Sequence, residues 1–238
     1  MKKLFKFALK IIATLLVAII VVGGIICGYY GIAGYKEYKK AIEQTPIEVK
    51  VAEIQNKENF TNIDQLSKTY FNAVIAVEDH NYYKHGAVSI VSTARAIFTN
   101  FRKKELTMGG STITQQVAKN MYFTQEKKLT RKVAELFMAV ELEKRYSKDE
   151  IFELYVNNIF YGSGYYCVYD ASMGYYGVTP DKLTDEQATI LAGVPNAPSV
   201  YSPDNNTHLT AERQNQVLMS MVKYGYLTEE EADAIRTK

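Results

Sequence analysis

"FNAVIAVEDHNYYKHG", residues 71–86, runs an apolar stretch straight into Glu78, Asp79 and His80, then two tyrosines and His85. With Asp64 as cap, the stripe Leu66, Tyr70, Ala73/Val74 and Val77 follows a helical period. If that helix continues to Glu78, this carboxylate falls at the helix end, on the edge of the apolar face. A carboxylate at such an edge is partly desolvated, which disfavours its charged form and suits it to proton transfer. A solvated helix terminus would carry the same acidic pair, so the stretch alone does not choose between the two.

Helical signals continue outward from it. Ile90, Ala94, Ile97 and Phe101 predict a helix over 87–101, and Arg95 interrupts its other apolar side, either snorkelling or facing a cleft. Capping boxes recur at Thr112/Gln115, Ser147/Glu150, Thr184/Gln187 and Thr228/Glu231, with Gly193 and Gly225 placed as helix stops. The Gly- and Tyr-rich segment between Phe160 and Pro180 reads as irregular and site-forming. One alternating stretch, "IEVKVAEI" at 47–54, is the best strand candidate. The expected fold is mostly α.

From Ile11 to Tyr35 no residue is charged, a run of 25 positions. As a helix it would measure about 37 Å, more than the hydrocarbon core of a bilayer. Lys2, Lys3, Lys6 and Lys10 precede it with no acid, so the expected orientation is N-terminus cytoplasmic and the rest outside. A cleaved signal peptide, with a small-residue site at Gly31-Ile32-Ala33, is the competing reading, but its apolar core would be unusually long. The expected division is 1–35 tip and transmembrane anchor, 36–60 stalk, and 61–238 catalytic domain. Those four lysines account for four of the 28 basic residues, leaving 24 against 26 acids in the remainder. That is no nucleic-acid footprint. Cys167 is the one cysteine beyond the apolar run, so it reads as a small buried side chain.

Two further stretches carry chemistry. In "MGGSTITQQVAKN", 108–120, Ser111 and Thr112 start a helix whose free N–H groups would attract an anion, and Thr114, Gln115, Gln116, Lys119 and Asn120 make it rich in hydrogen-bonding groups. It lacks the spacing of a phosphate-binding P-loop. "KKLTRKVAELFMAVELEK", 127–144, has a predicted core stripe of Val133, Leu136/Phe137 and Val140, with Arg131 and Glu135 four apart on another face. An exposed ion pair would explain that spacing and contribute little. Yet Lys127, Lys128, Arg131 and Lys132 crowd the helix N-terminus, where the dipole disfavours cations. A bound polyanion such as a diphosphate would remove that conflict. His80, His85 and His208 form no zinc pattern.

In this order the stretches closely resemble the peptidoglycan glycosyltransferases of glycosyltransferase family 51, in their monofunctional, membrane-anchored form. Glu78, Asp79, Tyr82, His85 and Gly86 match the first motif, with Tyr82 where phenylalanine is common. "GGSTITQQVAKN", "RKVAELFMAVELE", "YSKDEIFELYVNNIFYG" and "EQATILAGVPNAPSVYSP" match the next four. The likeness covers about residues 65–235. The sequence ends soon after, so no penicillin-binding transpeptidase domain is expected.

The resemblance implies a lysozyme-like, two-lobed helical fold and lipid II as substrate, polymerised by inverting transfer with release of a polyprenyl diphosphate. It implies Glu78 as general base and Glu135 as a second essential carboxylate that could orient cations, bind a metal or help the diphosphate leave. Lys119, Arg131 and Lys132 would stabilise the leaving group, while Arg95, Thr112, Gln116 and Asn120 would contact substrate. Asp79 and His85 would support the Glu78 loop. Mg2+ or Mn2+ would act through phosphate oxygens, with no protein metal ligands identified. The membrane, the nascent glycan strand and other cell-wall synthesis proteins are the implied partners, with no nucleic acid. An inactive cell-wall scaffold and a lytic glycan hydrolase on a similar fold are the alternatives.

Overall fold

The computed structural model describes residues 2–89, 110–124, 126, 128–205 and 207–236, without the side chains of 2–5 and 8. Among them every regular element is helical. The helix predicted over 87–101, and with it Arg95, lies almost wholly outside the described residues.

Helix α1, Lys2–Gln44, is one unbroken 43-residue rod, and it contains a stretch long and apolar enough to cross a membrane. It continues past the uncharged run, so most of the predicted stalk is helix. After Thr45 and Pro46, α2 (Ile47–Gln55) follows where a strand was expected. Ile47, Val51 and Ile54 are buried while Val49 is half exposed, a spacing of four and three that belongs to a helix face. The stretch also alternates, and its burial on one helical side decides the outcome.

Helix α3, Lys68–Glu78, ends at Glu78 as expected, but its cap is Ser67, whose Oγ accepts the Tyr70 N–H at 3.1 Å. Asp64 instead sits in a 3-10 turn, Ile63–Gln65. The remaining helices are α4 (Ile113–Tyr122), α5 (Leu129–Arg145), α6 (Lys148–Val156), α7 (Val168–Tyr176), α8 (Asp185–Gly193), α9 (Pro198–Tyr201), α10 (Thr207–Lys223) and α11 (Glu229–Ile235). All four predicted capping boxes form, at α4, α6, α8 and α11. Each satisfies two N–H groups that a helix start leaves without partners.

Packing divides these helices into two groups. Helices α3, α8 and α10 pack on one another, while α4 packs on α5 and α6, with α1 laid along α5. A cleft opens between the groups.

Helix α5 corrects one expectation. Its buried side is Ala134, Glu135, Met138, Ala139 and Leu142, whereas Phe137 and Val140 are over a third exposed. The predicted stripe is the side turned to α1: Phe137 lies 5.3 and 5.9 Å from the rings of Tyr35 and Tyr38. A helix packed on two sides shows two apolar faces, and the larger residues line the outer one. Met121 is also in the core, and the Tyr122 hydroxyl donates to Thr45 O at 2.9 Å.

The Gly- and Tyr-rich segment is less irregular than expected, since α7 occupies its middle. Cys167 is buried as predicted and caps α7, with burial pushing its thiol up to about 11. A thiol held protonated is no nucleophile at neutral pH.

Candidate active site

Five of the residues singled out from sequence converge on the cleft, a cavity of about 400 Å³ lined by Glu78, Gln116, Lys119, Lys132 and Glu135 together with Arg213. Glu78 reaches it because α3 stops there. Its side chain is 11% exposed, Oε2 accepts a hydrogen bond from Gln116 Nε2 at 2.8 Å, and Oε1 lies 3.7 Å from Arg213 Nη2. One oxygen is held and the other faces a cation across a longer gap, an arrangement that orients the group without consuming its second acceptor.

Glu135 is fully buried on α5. Its Oε1 accepts from Arg131 Nη1, and Oε2 lies 3.0 Å from Lys132 Nζ without an aligned hydrogen bond. Lys132 Nζ donates instead to Ser111 Oγ at 2.8 Å. Burial, then repulsion by Arg131 and Lys119, pushes the Lys132 ammonium down to about 8. Lys119 is lowered by the same causes, burial first and Arg131 second, with Glu78 opposing. Arg131 and Lys132 pair with Glu135, and Lys119 adds a third cation beside them, an excess of positive charge that an anion would relieve.

Asp79 and His85 stand behind the cleft. Asp79 is buried, with Oδ1 2.6 Å from His85 Nε2 and Oδ2 accepting the Ile113 N–H at 3.2 Å. It thereby ties the end of α3, which carries Glu78, to the start of α4, which carries Gln116 and Lys119. Two of the first N–H groups of α4 are therefore claimed: Asp79 takes Ile113, and Thr112 Oγ1 takes Gln115 at 3.1 Å. The expectation that this helix start is open to an anion is corrected. Thr112 is buried, donating to Ala87 O at 2.7 Å, and neither it nor Asn120 lines the cavity. Nor does the segment from Phe160 to Pro180.

Asp79→Asn should separate support from reaction. The amide still fits but loses charge toward both the helix start and His85, a loss of about 1–3 kcal/mol. A lower thermal midpoint together with slower turnover and little change in KM is the expected result. An unchanged midpoint would remove Asp79 from its structural role.

Arg213 is the residue that sequence reading missed. It is 9% exposed on α10, its Nε donates to Gly193 O at 3.2 Å, and its Nη1 donates to Gln216 at 2.9 Å. The available signal was its register: Arg213 shares the buried face of Thr210, Gln214, Val217, Leu218 and Met221, where an arginine is costly without partners. Gly193 is bound up with it. At φ −80° it needs no glycine for conformation, but a Cβ there would lie 2.9 Å from Arg213 Cγ.

The family model described as Transglycosylase matches residues 46–222. The monofunctional glycosyltransferase of Staphylococcus saprophyticus is 40% identical over 182 residues, covering 74% of this chain and 67% of that protein. Penicillin-binding protein 1A of Aquifex aeolicus is 38% identical over 175 residues, and penicillin-binding protein 1F of Bacillus subtilis 35% over 236. The chain spans only 24% and 33% of those two longer proteins, while they cover 74% and 97% of it. With a family model matched across most of its length, the chain belongs to the transglycosylase family.

Proposed function

We propose that this chain polymerises lipid II into linear peptidoglycan strands. The observation that carries it is the juxtaposition, in one cleft, of a nearly buried carboxylate with a cation cluster built from Lys119 on α4 and from Arg131 and Lys132 on α5, the helix docked to the apolar rod. Glu78 takes the proton from the acceptor sugar's 4-hydroxyl, the resulting oxygen attacks the donor's anomeric carbon, and the bond from that carbon to the diphosphate oxygen breaks. Configuration inverts because attack and departure are on opposite faces. The diphosphate leaves with its charge held by Lys119, Arg131 and Lys132. Gln116 and Arg213 keep Glu78 in place, and Glu135 holds Arg131 and Lys132 together.

Glycan hydrolysis fits less well, because Glu135 is clamped by two cations and is not free to protonate a leaving group or activate water. A dedicated divalent-ion cradle does not fit either. Among the described residues no three carboxylate, histidine or cysteine side chains converge, and Arg or Lys faces both cleft carboxylates. Any Mg2+ or Mn2+ that takes part is one the substrate's own diphosphate brings.

The four lysines before the apolar run support an N-terminus in the cytoplasm and a catalytic domain outside, where lipid-linked precursor is displayed. The full chain in detergent, given labelled lipid II, should yield long glycan that lysozyme digests. No polymer from a well-folded protein would move the reading to an inactive scaffold.

The cation cluster also sets a pH dependence. Free Lys132 loses its proton as pH rises through about 8, earlier than an ordinary lysine. Affinity for an anion of fixed charge should therefore be full below that pH and fall roughly tenfold by pH 9.5, the worth of one charge-assisted contact. Calorimetry with sulfate, whose charge does not change across this range, should show proton uptake on binding near pH 8; a flat profile would remove Lys132 from the anion site.

A further inference from the structure

Gly34 stands at the end of the uncharged run and is buried against α5. A Cβ there would lie 2.6 Å from both Val133 Cβ and Cγ1, and 2.9 Å from the Thr130 carbonyl. Gly23, Gly24, Gly28 and Gly31, further down the same rod, have nothing within 4 Å. The seam continues upward through the rings of Tyr35 and Tyr38 on Phe137 and ends where Arg145 pairs with Glu48. The two helices thus run side by side in the same direction, with the α5 N-terminus toward the membrane. Val133 adjoins Lys132 in the sequence and lies two positions from both Arg131 and Glu135. One turn of α5 therefore carries the anchor contact on one face and the cation cluster on another.

We propose that Gly34 and Val133 form a positioning contact that fixes the depth of Arg131, Lys132 and Glu135 relative to the bilayer surface. On the reading above, the diphosphate of a membrane-held substrate lies where the apolar run ends, and it cannot rise to meet a misplaced site. The anchor then acts in turnover, beyond keeping the enzyme at the membrane. Gly34 touches no reacting atom; it acts through α5. A helix start this close to the headgroups needs a close approach of two backbones, which only glycine permits.

The test is Gly34→Leu in the full chain, assayed on long-chain lipid II in liposomes and on a short-chain, water-soluble lipid II analogue in detergent. The expected result is a loss of roughly tenfold or more in kcat/KM on the bilayer-held substrate, since small misplacements cost large factors. The soluble analogue, free to find its own depth, should lose less than about twofold. Equal losses on both substrates would show that the contact merely holds the fold, and no loss on either would show that the anchor is a tether; both overturn the proposal. Phe137→Ala removes the neighbouring ring contacts at a half-exposed site and carries the same comparison if Gly34→Leu does not fold. Failure of the wild type to make glycan from either substrate would strike the proposed function itself, a separate outcome.

Discussion

Glu78→Gln is expected to slow lipid II polymerisation roughly a thousandfold, in the middle of the range that general bases contribute. Its thermal midpoint should stay within a few degrees of the wild type. Glutamine keeps the side-chain shape and can still accept the bond from Gln116 Nε2. What it loses is the capacity to take a proton. Arg213 keeps its bonds to Gly193 and Gln216, so the loss of a 3.7 Å ion pair leaves it well held. Binding of inorganic diphosphate, which rests on the cations at the other end of the cleft, should change little. Undiminished polymerisation by Glu78→Gln would take the base assignment away from this residue. A large fall in the midpoint would show instead that the Glu78–Arg213 pair holds α3 on α10.

Much of this was legible because the signals are local. A capping box needs only two side chains three apart, so all four formed where the sequence put them. Glu78 at the end of an apolar helix follows from one period and one stop. The larger misses have a different cause: they depended on a neighbour remote in sequence. Residues 47–54 satisfy both a strand's alternation and a helix's spacing, and only their seat against α6 decides. The outer face of α5 looked like core because Phe137 and Val140 are larger than Ala134 and Ala139, and nothing in that stretch announces α1. The start of α4 looked open to an anion because Asp79, 34 residues earlier, is what closes it. Arg213 escaped for the same reason, since its partners Glu78 and Gly193 come from two other helices.

Glu135 offers the second large effect, and two substitutions divide its roles. Glu135→Ala removes a fully buried carboxylate from between Arg131 and Lys132, leaving a cavity and two cations unpaired. Breaking a buried pair in this way costs about 3–5 kcal/mol, which for a domain of this size is a fall of roughly 10 °C in the thermal midpoint. Glu135→Gln keeps the volume and an acceptor for Arg131, so its midpoint should fall less. Its cluster, however, carries one more net positive charge. At pH 6.5, well below the range in which Lys132 titrates, Glu135→Gln should bind inorganic diphosphate at least as tightly as the wild type. Its turnover should nonetheless drop about a hundredfold, because cations no longer held in one geometry stabilise a departing charge poorly. Tighter binding with slower turnover is the signature of a residue that orients the cluster. Slower turnover with weaker binding would mean that Glu135 holds the anion site together, and wild-type turnover would reduce it to a counterion that the reaction does not use.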